Sequence, residues 1–469
     1  MFVLFWTDAS IFLLLSVVVA FALYARRKEH LRAPWRGVAR SRMGLASAVV
    51  LGAFVLTGLL DSVHFHPLLE PQSQAASRYS SEVLSLFDRL AMPLRERVEK
   101  TYSAPFATHL YAKETMTLPD GRQVRDYPRL QFGGAHLKHP ARDRGTDIAR
   151  TIASATVEAL ILWGLLIVGI VWLIARQSKA RWRECVIDIA RQRTIVPWHV
   201  MLLTLGVILW GAVVVSRLCL DYHILGTDKV GQDVFYQTLK SIRTGLLMGT
   251  LTTLVMLPFA ILLGIAAGYF GSWVDDVIQY LYTTLNSVPG VLLIAAAILM
   301  LQVYMATHAE GFESLEERAD LRLLFLCIIL GVRSWTGLCR VLRGETLKLR
   351  ELDYIQAARA FGVGHFTIIL RHILPNVLHL VLIAMVLDFS ELVLAEAVLS
   401  YLNIGVDPSM NSWGNMINGA RLEMAREPMV WWSLAAAFLF MFTLVLSANI
   451  FSDAVRDAFD PRLRELQRE

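Results

Sequence analysis

The sequence predicts an all-α polytopic membrane protein. Hydrophobic residues make up 55% of its 469 residues, and the mean hydropathy is +0.49, which is too apolar for a soluble chain of this length. Long uncharged runs recur along the chain, and Lys and Arg concentrate in particular segments between them. This alternation is typical of helices that cross a bilayer and of the loops that join them.

Nine segments have the roughly 20 mostly apolar residues that a membrane-spanning helix needs. Pro258 and Pro289 lie inside two of these segments and are expected to kink or break their helices. The first basic run follows the first apolar segment, which favours an uncleaved anchor over a signal peptide. The nine predicted spans are residues 9–25, 43–60, 153–175, 198–217, 244–268, 278–305, 320–339, 377–400 and 429–452.

Basic residues predict the orientation, because short cytoplasmic loops are enriched in Lys and Arg. Segments 26–42, 176–193 and 340–371 are basic, whereas segment 306–320 is acidic. Nine spans place the basic segments in the cytoplasm and the acidic one outside. We therefore expect an external N-terminus and a cytoplasmic C-terminus, with Trp431 and Trp432 at the outer membrane interface.

The polar segment 61–152 is expected to form an external domain. A helix is predicted over residues 80–100, and strands are predicted around Thr115–Arg129 with a turn at Pro119-Asp120-Gly121. The histidines of this segment lack the spacing of zinc ligands, so no metal site is predicted. The four cysteines of the chain lie far apart and are expected to be small buried side chains.

A short amphipathic helix is predicted inside the polar loop 351–376. Asp353 is expected to cap its start and Gly362 to end it. Such a helix lies either on lipid headgroups or against a partner protein, and the spacing leaves both interpretations open. Its apolar face consists of Tyr354, Ala357, Ala358 and Phe361, with Arg359 on the polar side.

This loop resembles the EAA loop of ABC-importer membrane subunits. That pattern is Glu-Ala-Ala, three residues, Gly, nine residues, Ile, one residue and Leu-Pro. The segments Gln356-Ala357-Ala358, Gly362 and Leu374-Pro375 stand at this spacing. Gln356 replaces Glu and keeps its size and hydrogen-bonding reach but not its charge, and His372 replaces Ile.

Further segments are similar to the C-type permease subunit of dipeptide, oligopeptide and nickel importers. The matches extend over about residues 195–464 in the family's order, and residues 1–194 lie mostly outside them. The first match is to a GTD-x-x-GRDV segment, with Gln232 in place of Arg. Its residues here are Gly226, Thr227, Asp228, Gly231 and Asp233, and later matches are Gly268–Gly271, Ser412–Asn415 with Trp413 and Gly414, and Arg456–Arg462.

The resemblance implies a type I ABC-importer core of six spans in residues 195–464. Residues 1–60 would then hold spans 1 and 2, residues 61–152 an external α/β or irregular insert, and residues 153–194 an extra span and a cytoplasmic linker. The helix at 353–362 would be the coupling helix that docks on an ATP-binding subunit. The implied location is a bacterial inner membrane.

The resemblance also implies partners and substrates. The expected partners are a second homologous permease, two ATP-binding subunits and an external solute-binding protein, and the expected cargo is a di- or oligopeptide, with nickel or another small solute as the alternative. The chain has no GxxxxGK[ST] phosphate loop, so ATP and Mg are expected on the partner subunits. No catalytic residue and no cofactor are predicted in this chain.

Charged residues inside the predicted spans indicate positions that face protein or water. Asp388 and Glu391 lie three residues apart on one helix face. They are candidates for a translocation path that receives the amino group of a peptide, or for a structural ion pair, for example with Arg333. In a secondary transporter they would be protonatable groups. Glu396 matches the family's Ala-Glu-Ala segment, which favours a structural role.

Overall fold

A computed structural model describes residues 2–27, 29–67, 80, 82–117, 123–178, 182–191, 193–194, 196–308 and 314–459. The chain divides into two compact units. The first comprises the chain up to Val3, Ala39–Thr244 and Asn411–Ser447. The second comprises Leu4–Val38, Gly245–Met410 and the chain from Ala448.

Helices dominate the described residues, as the predicted fold class requires. A π-helical turn at Ile369–Ile373 lies between α14 and α15. The α-helices are α1 (Trp6–Arg27), α2 (Glu29–Val38), α3 (Arg42–Asp61), α4 (Leu86–Leu90), α5 (Met92–Glu96), α6 (Pro140–Ser178), α7 (Trp182–Ala190), α8 (Trp198–Leu218), α9 (Val234–Phe270), α10 (Ser272–Ser287), α11 (Gly290–Thr307), α12 (Leu315–Arg350), α13 (Asp353–Ala360), α14 (His365–Ile368), α15 (Leu374–Tyr401), α16 (Trp413–Glu423) and α17 (Trp432–Phe459).

Eight helical segments of the described chain are long and apolar enough to cross a membrane. They lie on α3, α6, α8, α9, α11, α12, α14–α15 and α17. Each of them carries one of the predicted spans. The ninth predicted span, residues 9–25, lies on α1, whose apolar stretch within the described residues, Trp6–Ala20, is shorter than the others.

The two prolines inside predicted spans behave differently. Pro289 separates α10, which ends at Ser287, from α11, which begins at Gly290. Proline has no N–H and disfavours helical backbone at the preceding residue, so the helix stops there. The predicted span at 278–305 is therefore wrong at its start, and the spanning segment is Gly290–Thr307. Pro258 lies inside α9, which continues to Phe270.

The segment between α3 and α6 contains short strands. Strand β1 (Phe2–Val3) pairs with β2 (His64–Phe65), and β2 pairs with β3 (Leu84–Ser85), both antiparallel. Strands β4 (Glu114–Thr117) and β5 (Gln123–Asp126) form an antiparallel pair, which confirms the predicted strands. The predicted turn at Pro119-Asp120-Gly121 lies outside the described residues.

The predicted helix over residues 80–100 is wrong. The described part of that range contains β3 and then the short helices α4 and α5. Ser85 caps α4 and receives a hydrogen bond from the Asp88 N–H, while the Asp88 carboxylate accepts from the Ser85 N–H. This capping box starts the helix at Leu86, six residues later than predicted, because it fixes Ser85 in an extended conformation.

Trp432 is not a membrane-interface residue, contrary to the sequence-based prediction. Its side chain is buried, its Nε1 donates to the carbonyl oxygen of Thr227 at 3.0 Å, and its ring meets Tyr111 edge-on at 4.9 Å. Trp431 beside it is half exposed. This hydrogen bond joins the start of α17 to residues 226–233, the GTD segment, within the first unit.

The largest apolar core of the second unit surrounds the C-terminal half of α12, from Trp335 to Leu342. It includes buried side chains of α9, α10, α12, α13 and α15 and the π-helical turn. Cys339 and Leu342 of α12 lie in it with Ile355 of α13. The four cysteines of the chain are buried, as predicted.

Candidate functional site

The predicted loop helix exists as α13, but its start differs from the prediction. Leu352 occupies the N-cap position and supplies no capping side chain, and Asp353 is the first helical residue. Asp353 still lies in the first turn, where a carboxylate interacts favourably with the helix dipole. Gln356 donates through Nε2 to the carbonyl oxygen of Glu351 at 3.2 Å, and the Glu351 carboxylate lies 3.4 Å from the same nitrogen.

The end of α13 confirms the predicted role of Gly362. Phe361 is the C-cap, and Gly362 follows with φ of +76°, a conformation that favours glycine. The Gly362 N–H bonds the Arg359 carbonyl and the Val363 N–H bonds the Ala358 carbonyl, each at 3.0 Å. These two bonds form a Schellman motif, so α13 has a defined end and a fixed exit direction.

Ile355 anchors α13, and the sequence-based analysis did not identify it. Its side chain is fully buried in the core that also contains Ile368 and Ile373. Ala358, which is half-buried, packs against the same core. The signal was present in the sequence, because Ile355 is the largest aliphatic side chain of the helix and lies three residues before Ala358.

A second contact orients α13 from its polar side. The Arg359 guanidinium lies over the ring of Tyr269, 5.5 Å from its centroid. The Tyr269 hydroxyl lies 2.8 Å from Nδ1 of His365, the first residue of α14. Arg359 therefore links α13 to the family-motif segment at the end of α9 through a cation–π contact.

The opposite face of α13 is largely exposed in the described chain. Phe361 is 87% exposed, more than any other large hydrophobic side chain in the described chain. Tyr354 is 45% exposed, and Ala357 is exposed beside it. A rigid helix that presents an aromatic residue next to small ones has the form of a docking surface, because its apolar area stays in water without a partner.

Leu374 and Pro375 open α15 directly after the π-helical turn. Pro375 has no N–H, so the helix begins there without losing an internal hydrogen bond. His372 lies in the π-helical turn, and its carbonyl accepts from Nδ2 of Asn376 at 2.7 Å. The same nitrogen donates to the Tyr354 hydroxyl at 3.1 Å, which joins α13 to the start of α15.

The GTD segment forms a tight loop in the first unit. Gly226 and Gly231 have φ of +69° and +77°. The carboxylate of Asp228 accepts from the N–H groups of Val230 and Gln232 at 3.0 and 2.9 Å. Asp233 accepts from the N–H groups at the start of α9, so the segment sets where that helix begins.

A buried ionic cluster joins this loop to the segment between α3 and α6. Nδ1 of His223 lies 2.7 Å from the Asp233 carboxylate, and Nε2 lies 3.5 Å from Glu99. Glu99 also accepts from the N–H groups of three consecutive residues, which are Gln131, Phe132 and Gly133. No local pattern indicates this cluster, because Glu99 lies more than a hundred positions before His223 and Asp233.

The cluster holds His223 and Glu99 in their charged forms. Burial alone would lower the pKa of His223, but the hydrogen bond to Asp233 and the negative charge of Glu99 outweigh it and raise the pKa to about 9. Burial alone would raise the pKa of Glu99, but His223 and the three backbone N–H groups lower it to about 2. These groups therefore form a permanent ion pair at neutral pH.

Trp413 and Gly414 lie at the start of α16 and are both buried. Nε1 of Trp413 donates to the Thr238 carbonyl of α9 at 3.1 Å. Ser412 caps α16 by accepting from the Asn415 N–H at 3.0 Å. The Trp413 hydrogen bond joins the start of α16 to α9.

The candidate path residues lie on α15 of the second unit. Asp388 is half-buried and Glu391 is exposed. Neither forms an ion pair with Arg333 in the part of the chain that the structure describes, so the alternative of a structural pair with that arginine is not observed. Glu396 is buried and accepts from the Ser400 hydroxyl at 2.7 Å, which suits a structural role.

Known proteins resemble about half of the chain. A family model described as a binding-protein-dependent transport system inner membrane component matches residues 260–465. A glutathione transport system permease protein of Pectobacterium atrosepticum is 32% identical over 52% of this chain and 73% of its own length. An oligopeptide transport system permease protein of Mycobacterium bovis is 32% identical over 52% of this chain and 78% of its own.

Two further similarities are weaker. A dipeptide transport system permease protein of Lactococcus lactis is 29% identical over 52% of this chain and 65% of its own length. A solved structure of the MetNI methionine ABC transporter in inward facing conformations is 16% identical, covering 48% of this chain and 94% of that one, with a TM-score of 0.33. That TM-score is too low to bear on the fold.

Proposed function

The chain belongs to the family of binding-protein-dependent transport system inner membrane components, as a permease subunit of an ABC importer of the peptide family, and we propose that it forms half of a translocation path for di- and oligopeptides. The names of the relatives, which are glutathione, dipeptide and oligopeptide permeases, support this class of cargo. The Asp388 and Glu391 carboxylates would receive the amino group of the peptide.

The exposed face of α13 supports the proposal that this helix couples the permease to an ATP-binding subunit. Phe361 would enter a cleft of an ATP-binding subunit, and the Ala357 surface would let the partner's backbone approach closely. Ile355 and Arg359 fix the helix to its own unit, so a movement of the partner would be transmitted as a rigid-body displacement. Because Gln356 is uncharged, shape rather than charge would dominate this contact.

The proposed assembly contains a second homologous permease, two ATP-binding subunits and an external solute-binding protein. ATP and Mg would bind to the partner subunits. The predicted orientation has an external N-terminus and a cytoplasmic C-terminus in the inner membrane. It would place α13 on the cytoplasmic side, where ATP is present. The protein does no chemistry of its own in this scheme.

The test of coupling uses the complete importer. Phe361→Ala should leave the thermal stability of the permease within about 0.5 kcal/mol, because the side chain is exposed. It should sharply reduce co-purification of the ATP-binding subunits. Leu422→Ala is the matched control, since Leu422 is 69% exposed on α16. Equal recovery of the ATP-binding subunits with both variants would contradict the proposal.

The test of cargo is uptake by vesicles that contain the whole complex and its binding protein. Labelled di- and tripeptides should accumulate only when ATP is hydrolysed. Accumulation of nickel but not peptide would favour the small-solute alternative. Peptide uptake that follows a proton gradient without ATP would favour a secondary transporter.

A further inference from the structure

Arg333 lies near the middle of α12, in the centre of its apolar stretch. It is the one charged residue of the sequence segment 323–339. At 1.5 Å per residue it lies about 25 Å from the end of the helix at Arg350 and about 27 Å from Leu315. A charge at this depth is costly in lipid and normally faces protein or a water-filled path.

The other arginines of α12 have partners, and Arg333 has none among the described residues. Arg322 pairs with Asp407 at 3.2 Å and Arg343 with Asp275 at 2.5 Å. Arg340 lies over the Tyr282 ring, 5.6 Å from its centroid. Nε of Arg333 is fully enclosed and has no acceptor within the described chain. The guanidinium therefore lacks an anion that its position requires.

The surroundings of Arg333 add further donors. Its guanidinium lies directly against Gly290, where a Cβ atom would come within 2.3 Å of Cζ. Gly290 is the first residue of α11, whose unpaired N–H groups add positive potential. One turn along α12, the Thr336 hydroxyl donates to Oδ1 of Asn286 at 3.3 Å, and Nδ2 of Asn286 has no acceptor among the described residues.

The backbone here also excludes contact with lipid. Residues 288–289 join α10 to α11, and residues 286–289 are exposed in the isolated chain. Non-helical backbone at membrane depth is tolerated only where protein or a water-filled cavity covers it. The segment 286–290 and Arg333 therefore belong to a protein-lined or wet surface.

We propose that Arg333, assisted by Asn286, binds the terminal carboxylate of a peptide during its passage. This proposal rests on the proposed function as a peptide importer. A guanidinium binds a carboxylate through two parallel hydrogen bonds, and such bonds are strong where water is scarce. A peptide carries one carboxylate and one amino group, so Arg333 complements the Asp388 and Glu391 carboxylates proposed for the amino group.

The experiment compares uptake of a tripeptide with that of its C-terminal amide by vesicles containing the complete importer. In Arg333→Gln the ratio of free-acid to amide uptake should fall about tenfold relative to the unmodified protein, because only the free acid loses a charged hydrogen bond. Any preference of the binding protein cancels, since the same binding protein is used throughout. Arg333→Lys should retain most of the ratio.

Two further variants separate binding from structure. Gly290→Ala keeps the arginine but displaces its guanidinium, so it should lower the same ratio even if Arg333→Gln fails to assemble. Arg340→Gln, on the same helix, should leave the ratio of free-acid to amide uptake unchanged, even if it alters the overall rate of uptake. An unchanged ratio in both Arg333→Gln and Gly290→Ala would overturn the proposal.

Two other outcomes have distinct meanings. Loss of the second permease from the purified Arg333→Gln complex, with an unchanged ratio in Gly290→Ala, would show that a carboxylate of the partner subunit is the anion, and would overturn the proposal. Failure of the unmodified importer to take up either peptide would overturn the proposed function and this inference with it.

Discussion

The imidazole of His223 and the carboxylate of Asp233 are joined, Nδ1 to Oδ2, at 2.7 Å in a buried site that Glu99 completes. The raised pKa of His223, about 9 against an ordinary 6.5, means that its contribution to stability is complete below about pH 6.5. That contribution is lost as the pH rises through 9. The lowered pKa of Glu99, about 2 against 4.5, gives a contribution that is complete above about pH 4.5 and is lost as the pH falls through 2.

We therefore expect the cluster to stabilise the protein most between about pH 4.5 and 6.5. Between pH 6.5 and pH 9.5 the purified protein should lose stability on the order of 3 kcal/mol from this site. His223→Gln should melt at a lower temperature at pH 6 and lose less on going to pH 9.5. His308→Gln, at an exposed histidine stacked on Tyr304, is the control. An identical pH slope in both variants would contradict the prediction.

Gly231→Ala should destabilise the first unit strongly. The positive φ alone costs about 1–3 kcal/mol for a residue with a side chain. A Cβ would also lie 1.7 Å from the backbone oxygen of Glu99, so the two segments would have to separate. Thermal melting in detergent measures the loss. Gly211→Ala in α8, where a Cβ meets nothing within 4 Å, should be neutral or stabilising.

Ile355→Ala should release α13 from its own unit. Removing a fully buried isoleucine costs about 2–5 kcal/mol when the surroundings do not collapse, and the smaller change Ile355→Val should cost about 0.5–1.5 kcal/mol. The local readout is hydrogen exchange of residues 353–363, which should speed up in the alanine variant. Unchanged protection of those amides would mean that other contacts hold the helix.

Gln356→Glu, which restores the usual family residue, should not improve coupling. The side-chain nitrogen of Gln356 lies 3.4 Å from the Glu351 carboxylate, so a carboxylate at position 356 would face a like charge. ATP-dependent uptake should fall at low salt and recover at high salt, because both groups are exposed. Glu351→Gln in the same chain should remove the effect. Higher uptake by Gln356→Glu alone would show that a partner cation dominates the site.

Local patterns predicted the parts of the site that depend on local physics. The end of α13 at Gly362 followed from spacing, because only a few residues tolerate positive φ after a helix. The start of α13 could not be predicted from the sequence, because the N-cap is Leu352, one position before the expected Asp353. The preference of aspartate for the N-cap position is weak compared with the packing of Ile355. Pro258 and Pro289 show the same limit, because packing decides which proline a helix accommodates.

Contacts between residues that are far apart in the chain could not be predicted from the sequence. Glu99 and His223 are separated by more than a hundred positions, and nothing near either residue indicates the other. The position of Trp432 at the end of an apolar segment predicts a membrane interface. Its indole N–H instead donates to the Thr227 carbonyl inside the protein. Arg333 is recognisable in the sequence as a charge in a span, but only the structure shows that nearby arginines of α12 have partners and that Arg333 has none among the described residues.

The fit between Glu99 and the GTD loop limits how this permease can be recombined with its relatives. The backbone of Glu99 fills the space beside Gly231, and its carboxylate offsets the charge of His223. A chimera that takes the GTD loop from one parent and the segment between α3 and α6 from another would lose the close backbone fit beside Gly231 and would leave an unbalanced buried charge at His223. Viable crossover points should therefore lie before residue 99 or after residue 233, so that both pieces are inherited together.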